Sequence, residues 1–201
     1  MPKFLEVAAS RIRGINWDGV RDTPQPGCEV YDMTDLPMTR ILDNTYDGIY
    51  SEHFIEHLYK YQGINFLKEC LRILRPGGTL RTVWPSYDVV ERLVSDEDLS
   101  NDDFVKHYYQ FYILKHKFSP PGNEHRRIQE QVALGLLHQG GEHLYLWGKD
   151  ELISTCDYLG FQAAREYEYQ KSGLEYFNDI DTPGSIRSAH SSVVEAKKPL
   201  C

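Results

Sequence analysis

The segments 45–58, TYDGIYSEHFIEHL, and 67–87, LKECLRILRPGGTLRTVWPSY, decide the fold class. The first predicts a short strand at residues 46–50, followed at once by a helix over residues 52–74, where leucines recur at helical spacing. An RPGG turn then stops the helix, and residues 79–84 are rich in the β-branched and aromatic side chains that favour strands. Strand, helix and strand in this order predict a parallel β-α-β unit and an α/β sheet.

Further elements flank this unit on both sides. Residues 101–145 are rich in Tyr, Phe and His, and are predicted to form two helices outside the sheet, as a cap or insertion. We therefore expect one α/β domain over residues 1–201, with this helical insertion. The other predicted elements are strands at 4–9, 14–20 and 28–31, a helix at 149–159, and strands at 161–169 and 191–196.

Composition limits the classes of partner. The 201 residues are 41% hydrophobic, which suits one domain with a packed core. A net charge of −8 disfavours nucleic acid as a partner, and no apolar run has the length of a membrane span. The cysteines form no CxxC pair, which is typical of free thiols in a reducing compartment. We expect a cytoplasmic protein that binds no membrane, and the oligomeric state stays open.

The two quoted segments, in this order, resemble the central part of the methyltransferase type 11 group of the class I S-adenosylmethionine-dependent methyltransferases. Residues 140–168, GGEHLYLWGKDELISTCDYLGFQAAREYE, are similar to that family's C-terminal part, where a tryptophan, a helix and a Gly-Phe turn precede the last hairpin. The resemblance implies a Rossmann-like, doubly wound, mostly parallel sheet with an antiparallel last strand. It also implies an enzyme that uses S-adenosylmethionine to methylate a small-molecule or sugar acceptor.

The same resemblance implies a cofactor site at the carboxyl ends of the strands, where open α/β sheets bind ligands. Asp18, at the end of the second strand, would accept hydrogen bonds from ribose hydroxyls. Asp32 and Met33, after the third strand, would surround the adenine ring. Small residues would replace the glycines of the family's first loop, and two polar residues after the fourth strand would border the methionine end. The implied cofactor-binding residues are Glu6, Ala8, Ala9, Ser10, Asp18, Asp32, Met33, Ser51 and Glu52.

Residues on the acceptor side follow the fourth and fifth strands. His53 and His57 are the candidates for a catalytic general base, because histidine titrates near neutral pH. His143 and His116, in or near the predicted insertion, are less favoured candidates. Trp84 and Tyr87 would face the acceptor, although Trp84 would equally suit a place in the core.

The stretch His53-Phe54-Ile55-Glu56-His57 allows a different interpretation, because it matches the HxxEH motif of inverted zinc peptidases. On a helix, His53 and His57 would bind one metal ion and Glu56 would act as the base. A third ligand would then be needed, and Glu124 or Glu130 could supply it. The motif is short and arises by chance, so the prediction is a protein without a metal site.

A second alternative is a binding module that kept the fold and lost the cofactor. The first loop has Ala8, Ala9 and Ser10 where glycines would let the backbone approach a ligand closely. The connection that follows is also shorter than the dozen or so residues of an ordinary parallel crossover. Its brevity predicts that the family's usual first helix is missing or vestigial.

Overall fold

Seven strands form one sheet in the order β3-β2-β1-β4-β5-β7-β6. The computed structural model describes residues 1–8, 13–95, 97–117, 122 and 125–200, and at residue 185 the backbone alone. The first five strands are parallel, whereas β7 pairs antiparallel with both β5 and β6. This arrangement confirms the predicted Rossmann-like, mostly parallel sheet. The strands are β1 (Phe4–Val7), β2 (Trp17–Arg21), β3 (Cys28–Val30), β4 (Tyr46–Glu52), β5 (Leu74–Pro85), β6 (Gln162–Glu166) and β7 (Ser191–Lys197).

Helices pack on one face of the sheet and form a further cluster beside it. A π-helical stretch at Tyr109–Lys115 continues α3, and short 3-10 turns lie at Ile55–His57, Gln139–Gly141 and Glu175–Phe177. The helices are α1 (Lys60–Ile73), α2 (Tyr87–Leu93), α3 (Asp103–Tyr108), α4 (Ile128–His138), α5 (Lys149–Leu159) and α6 (Ser185–His190).

The prediction of a helix over residues 52–74 is wrong at its amino end. Strand β4 continues to Glu52, which pairs with Val83 of β5, and α1 begins only at Lys60. The start of α1 is fixed by a capping interaction, in which the backbone N–H of Tyr59 donates to Oε1 of Gln62 at 2.9 Å. Residues 53–59 therefore form a loop between β4 and α1, which contains the 3-10 turn at Ile55–His57.

Three groups of buried side chains hold these layers together. The largest lies where α1 and α5 pack on the sheet, and it includes Leu5, Ile49 and Leu67. A second, around Tyr50 and Phe177, lies under the segment 167–181 on the opposite face. The third joins α2, α3 and α4. That residues 101–145 act as a cap or insertion within a single domain stays a prediction.

The RPGG turn that opens β5 leaves no space for a side chain at its last glycine. A Cβ at Gly78 would lie 2.9 Å from the carbonyl oxygen of Arg75 and 3.1 Å from that of Tyr46. Backbone atoms cannot yield cheaply, so Gly78→Ala is expected to lower the free energy of unfolding by about 1–3 kcal/mol in a urea titration. Gly148→Ala is the control, because its Cβ would meet nothing closer than 3.9 Å. Equal losses in both variants would contradict this packing.

No helix within the described part of the chain has both the length and the apolar character needed to cross a bilayer.

Candidate functional site

A cavity of about 460 Å³ opens at the carboxyl ends of the parallel strands. This is the edge at which open α/β sheets bind ligands, and the volume lies in the range of roughly 300–1,000 Å³ typical of ligand pockets. The lining side chains come from the segments that follow β1, β2, β3 and β4. They are Ala8, Arg21, Asp22, Asp32, Met33, Thr34, His53, Phe54, His57 and Leu58.

The end of β1 brings one predicted residue to this cavity. Ala8 lines it and has φ +58°, a left-handed conformation that favours glycine. The predicted residues Ala9 and Ser10 lie outside the described part of the chain. Glu6 is buried within β1, where Arg13 donates from Nε to Oε2 at 2.8 Å and from Nη2 to Oε1 at 3.1 Å. Its carboxylate is thus held by a guanidinium instead of facing the cavity.

The acidic residue that follows β2 is Asp22, whereas the sequence predicted Asp18 for this place. Asp18 is the second residue of β2, and its carboxylate accepts from Tyr46 Oη at 2.8 Å and pairs with Lys3 Nζ at 2.8 Å. Lys3 precedes β1 and Tyr46 begins β4, so Asp18 lies near the amino edge of the sheet. β2 continues through Arg21, and Asp22 lines the cavity. The sequence prediction ended the second strand at residue 20, one residue before the strand ends in the structure.

Asp32 and Met33 lie together at the cavity, as the sequence placed them. The Thr34 N–H and hydroxyl donate to Oδ1 of Asp32 at 2.9 and 2.6 Å, and these hydrogen bonds lower the pKa of this carboxyl. Asp32 is thereby kept ionised and fixed in orientation as a hydrogen-bond acceptor. Met33 is buried in the main core but still lines the cavity, where it offers an apolar surface.

Ser51 and Glu52 end β4, but their side chains are engaged elsewhere. Ser51 is fully buried and its Oγ lies 3.1 Å from Thr82 Oγ1 on β5. Glu52 accepts from Tyr169 Oη at 2.7 Å and from the backbone N–H of Thr182 at 3.1 Å. Burial would raise the pKa of Glu52, but hydrogen bonds from the side chains of Thr182 and Tyr169, with the charge of Arg187, outweigh burial and lower it. Glu52 therefore links the C-terminal segment to the sheet through hydrogen bonds.

His53 and His57 both line the cavity, in different environments. His53 has φ +51°, its Nε2 lies 3.0 Å from Ser191 Oγ, and burial holds its pKa well below the usual value. His57 is a third exposed, and its Nδ1 lies 3.0 Å from the carbonyl oxygen of Glu142. His53 is consequently neutral and held by its neighbours, whereas His57 is the accessible imidazole of the pair.

Glu56 lies between these histidines with none of its surface exposed. Its Oε1 is 3.4 Å from His53 Nδ1 and 3.9 Å from His57 Nε2, and burial raises the pKa of the carboxyl to about 8. The zinc-peptidase arrangement is not formed, because His53 is a loop residue and does not share a helix with His57. Of the suggested third ligands, Glu130 pairs with Arg127 instead, and Glu124 lies outside the described residues.

The two aromatic residues predicted to face the acceptor differ in exposure. Trp84 is fully buried in the main core and donates from Nε1 to the carbonyl oxygen of Trp147 at 2.9 Å, so it is a core residue. Tyr87 is 41% exposed and lines a second cavity, of about 310 Å³, together with His143. His143, 86 residues from His57 in the chain, has its ring 5.1 Å from the ring of His57. Only Tyr87 of the aromatic pair keeps the access that an acceptor contact requires.

Comparisons with known proteins are consistent with this geometry. Residues 2–82, which contain β1 to β4 and most of β5, match the model of the methyltransferase domain family. No curated protein matches the sequence. Several solved structures share the fold, at identities too low to show more than the fold.

Three of these structures illustrate the range. A SAM-dependent methyltransferase from Archaeoglobus fulgidus aligns with a TM-score of 0.54 at 15% identity, over 98% of this chain and 86% of that one. The 1,6-didemethyltoxoflavin-N1-methyltransferase of Burkholderia thailandensis, solved with its substrate and S-adenosylhomocysteine, aligns with a TM-score of 0.52 at 12% identity, over 98% and 71%. The CMeT domain of the citrinin polyketide synthase aligns with a TM-score of 0.53 at 11% identity, over 98% and 46%.

The matched segment carries every strand end that borders the larger cavity. The sheet order extends the likeness beyond the matched residues. Residues 2–82 thus match the model of the methyltransferase domain family, and the chain as a whole shares the fold of solved SAM-dependent methyltransferases.

Proposed function

We propose that this chain binds S-adenosylmethionine in the cavity of about 460 Å³ and transfers its methyl group to a small-molecule acceptor, sugars included. One observation carries the proposal. Two carboxylates, Asp22 and Asp32, and the apolar Met33 come from the ends of different strands and meet in one cavity. Polar acceptors beside an apolar surface suit a nucleoside, which has ribose hydroxyls, an exocyclic amine and a flat ring.

Each part of the cofactor then has a partner of suitable chemistry. Asp22 would accept hydrogen bonds from the ribose hydroxyls, and Asp32 would accept one from the adenine amine. Met33 and Leu58 would pack on the ring. Ala8, with its left-handed backbone, would let the chain approach the methionine end, because its side chain is only a methyl group.

The reaction requires the protein mainly to position the cofactor and the acceptor. When bound, S-adenosylmethionine supplies an already activated methyl group on its sulfonium. The chain's residues must then hold the acceptor in line and exclude water, which supplies most of the rate. If the acceptor loses a proton, His57 is the better base, because both ring nitrogens of His53 lie close to Ser191 and Glu56.

The alternative is a binding module that no longer takes the cofactor, and two observations favour it. Ala8 adopts φ +58°, which costs an alanine about 1–2 kcal/mol that a glycine would not lose. Only residues 8–16 connect β1 to β2, fewer than the usual dozen of a parallel crossover. Both features bear on the loop that would meet the methionine end of the cofactor.

Calorimetric titration with S-adenosylhomocysteine separates the two functions without knowledge of the acceptor. We expect one site per chain with a dissociation constant in the micromolar range, and a similar result with S-adenosylmethionine. Incubation with methyl-labelled S-adenosylmethionine and pooled hydroxylated, amino and sugar acceptors then tests transfer. Absence of heat at high micromolar ligand, from protein that unfolds cooperatively, would reject cofactor binding and leave the binding module.

A further inference from the structure

A cluster of one carboxylate and two imidazoles lies beside the cofactor cavity and has no role in the proposed methyl transfer beyond that of His57. One ligand atom each from Glu56, His57 and His143 lies within 4.8 Å of the other two. Glu56 is on the 3-10 turn after β4, whereas His143 comes from the loop after α4. Two distant parts of the chain therefore converge at this point.

The polar atoms at the centre of the cluster lack partners. Both carboxylate oxygens of Glu56 and Nε2 of His143 are buried, and none has a hydrogen bond within the part of the chain that the structure describes. Leaving such groups unpaired costs roughly 1–3 kcal/mol each, and more for a charged group. Three such atoms at one point indicate a partner other than the described residues, as a bound ion would be.

The hydrogen bonds around the cluster fix which nitrogens carry protons. Nδ1 of His57 lies 3.0 Å from the carbonyl oxygen of Glu142, and Nδ1 of His143 lies 2.5 Å from that of Leu136. A carbonyl oxygen only accepts, so both Nδ1 atoms are protonated and donate. The Nε2 atom of each ring is then the nitrogen left to bind a metal ion, and Nε2 of His57 lies 3.9 Å from Glu56 Oε1. Histidine ligands of metal ions are oriented in this manner by backbone carbonyls.

We propose that Glu56, His57 and His143 form a binding site for a divalent transition-metal cation of the zinc class. Two imidazole nitrogens and one carboxylate oxygen are a donor set of three-ligand zinc sites, which keep a fourth position open. A cation also neutralises the buried carboxylate, which within the described residues lies close to the imidazoles of His53 and His57 and forms no ion pair with a Lys or Arg. With metal–ligand bonds of about 2.0–2.2 Å, the side chains need to close in by about an ångström.

This ligand set differs from the one that the HxxEH motif suggested, and it reverses the expectation of no metal site. Glu56 becomes a ligand instead of a base, and His143 supplies the donor that was sought at Glu124 or Glu130. His53 is not a ligand in this set, because its Nε2 lies 3.0 Å from Ser191 Oγ.

The position of the site links the two cavities. His57 lines the larger cavity and His143 lines the smaller one, so a cation held between them is near both. His57 is a third exposed and provides the route of entry. A bound cation takes the lone pair of His57 Nε2 and so excludes His57 as the base of the reaction. The metal site itself does not depend on whether the chain transfers methyl groups.

Zinc titration of untagged, chelator-treated protein tests the site. We expect one zinc per chain by elemental analysis, and a thermal unfolding midpoint that rises when zinc is added. His57→Ala, Glu56→Gln and His143→Ala should each weaken zinc binding by more than the roughly 10- to 100-fold that loss of a second-shell partner costs. His107→Ala, an exposed histidine on α3, should bind zinc like the unchanged protein.

The outcomes separate the ligand sets. Because His57 is partly exposed, His57→Ala should stay folded when metal-free, and its unfolding transition without zinc checks this. Substoichiometric zinc in the unchanged protein would overturn the proposal. So would zinc that is kept by folded His143→Ala but lost in His53→Ala, since that pattern identifies the HxxEH ligands.

Discussion

Asp22→Ala and Asp32→Ala are each expected to bind S-adenosylhomocysteine at least about tenfold more weakly than the unchanged protein, as measured by calorimetry. Asp18→Ala should bind it with unchanged affinity. The reason lies in the strand ends. Asp22 and Asp32 line the cavity, whereas Asp18 is near the opposite edge of the sheet, paired with Lys3.

The expected losses have a common cause. Asp32 is fixed by the Thr34 N–H and hydroxyl, so its carboxylate is already oriented as an acceptor before ligand binds. A preorganised acceptor loses little entropy on binding, and alanine cannot replace it. Asp22 extends from the end of β2, where its exposed carboxylate can take up two hydroxyls.

Asp18→Ala is a demanding control, because the sequence alone favours Asp18 as the ribose ligand. Its carboxylate is nearly half exposed, so its ion pair with Lys3 contributes little to stability. Weak binding by Asp18→Ala and normal binding by Asp22→Ala would show that β2 ends earlier than the structure has it. Normal binding in all three variants would place the ligand outside this cavity.

Local pattern was enough to predict much of the fold. Helix α5 begins at Lys149 and ends at Leu159, as predicted, because Gly160 ends it in a left-handed conformation with φ +101°. The RPGG turn and the β-branched residues after it located β5, although pairing with β4 and β7 makes that strand longer than its composition suggested. Such signals lie within a few residues of the elements they define.

The errors arose where strand pairing or distant contacts decide. β2 runs from Trp17 through Arg21, which pairs with Val30, so the acid that follows the strand is Asp22, and Asp18 lies near the strand's start. The partner of His57 is His143, and no periodicity links residues so far apart. The HxxEH interpretation assumed one helix over residues 53–57, where the structure has a loop residue at His53 and a 3-10 turn at Ile55–His57.

The guanidinium of Arg81 is buried in an ion-pair network that no local sequence pattern predicts. Arg81 lies on β5 with none of its surface exposed, and it donates to both oxygens of Asp181, with Nε at 2.9 Å from Oδ1. Its Nη1 donates to Glu195 Oε1 on β7 at 2.7 Å. Burial alone would lower the pKa of Arg81, but the two carboxylates outweigh burial and raise it. These contacts fasten the C-terminal segment to the sheet.

Arg81→Met is therefore expected to lower the free energy of unfolding by about 3–5 kcal/mol, because it leaves two carboxylates buried without their cation. Arg75→Met, on the same strand, should cost at most about 1 kcal/mol, since the Arg75–Asp47 pair is largely exposed. Urea unfolding of both variants measures the difference. Adding Asp181→Asn and Glu195→Gln to Arg81→Met should restore part of the loss, because the unpaired charges are then removed. Similar losses in the two single variants would contradict the ion-pair network, since the substitution is the same and only the burial differs.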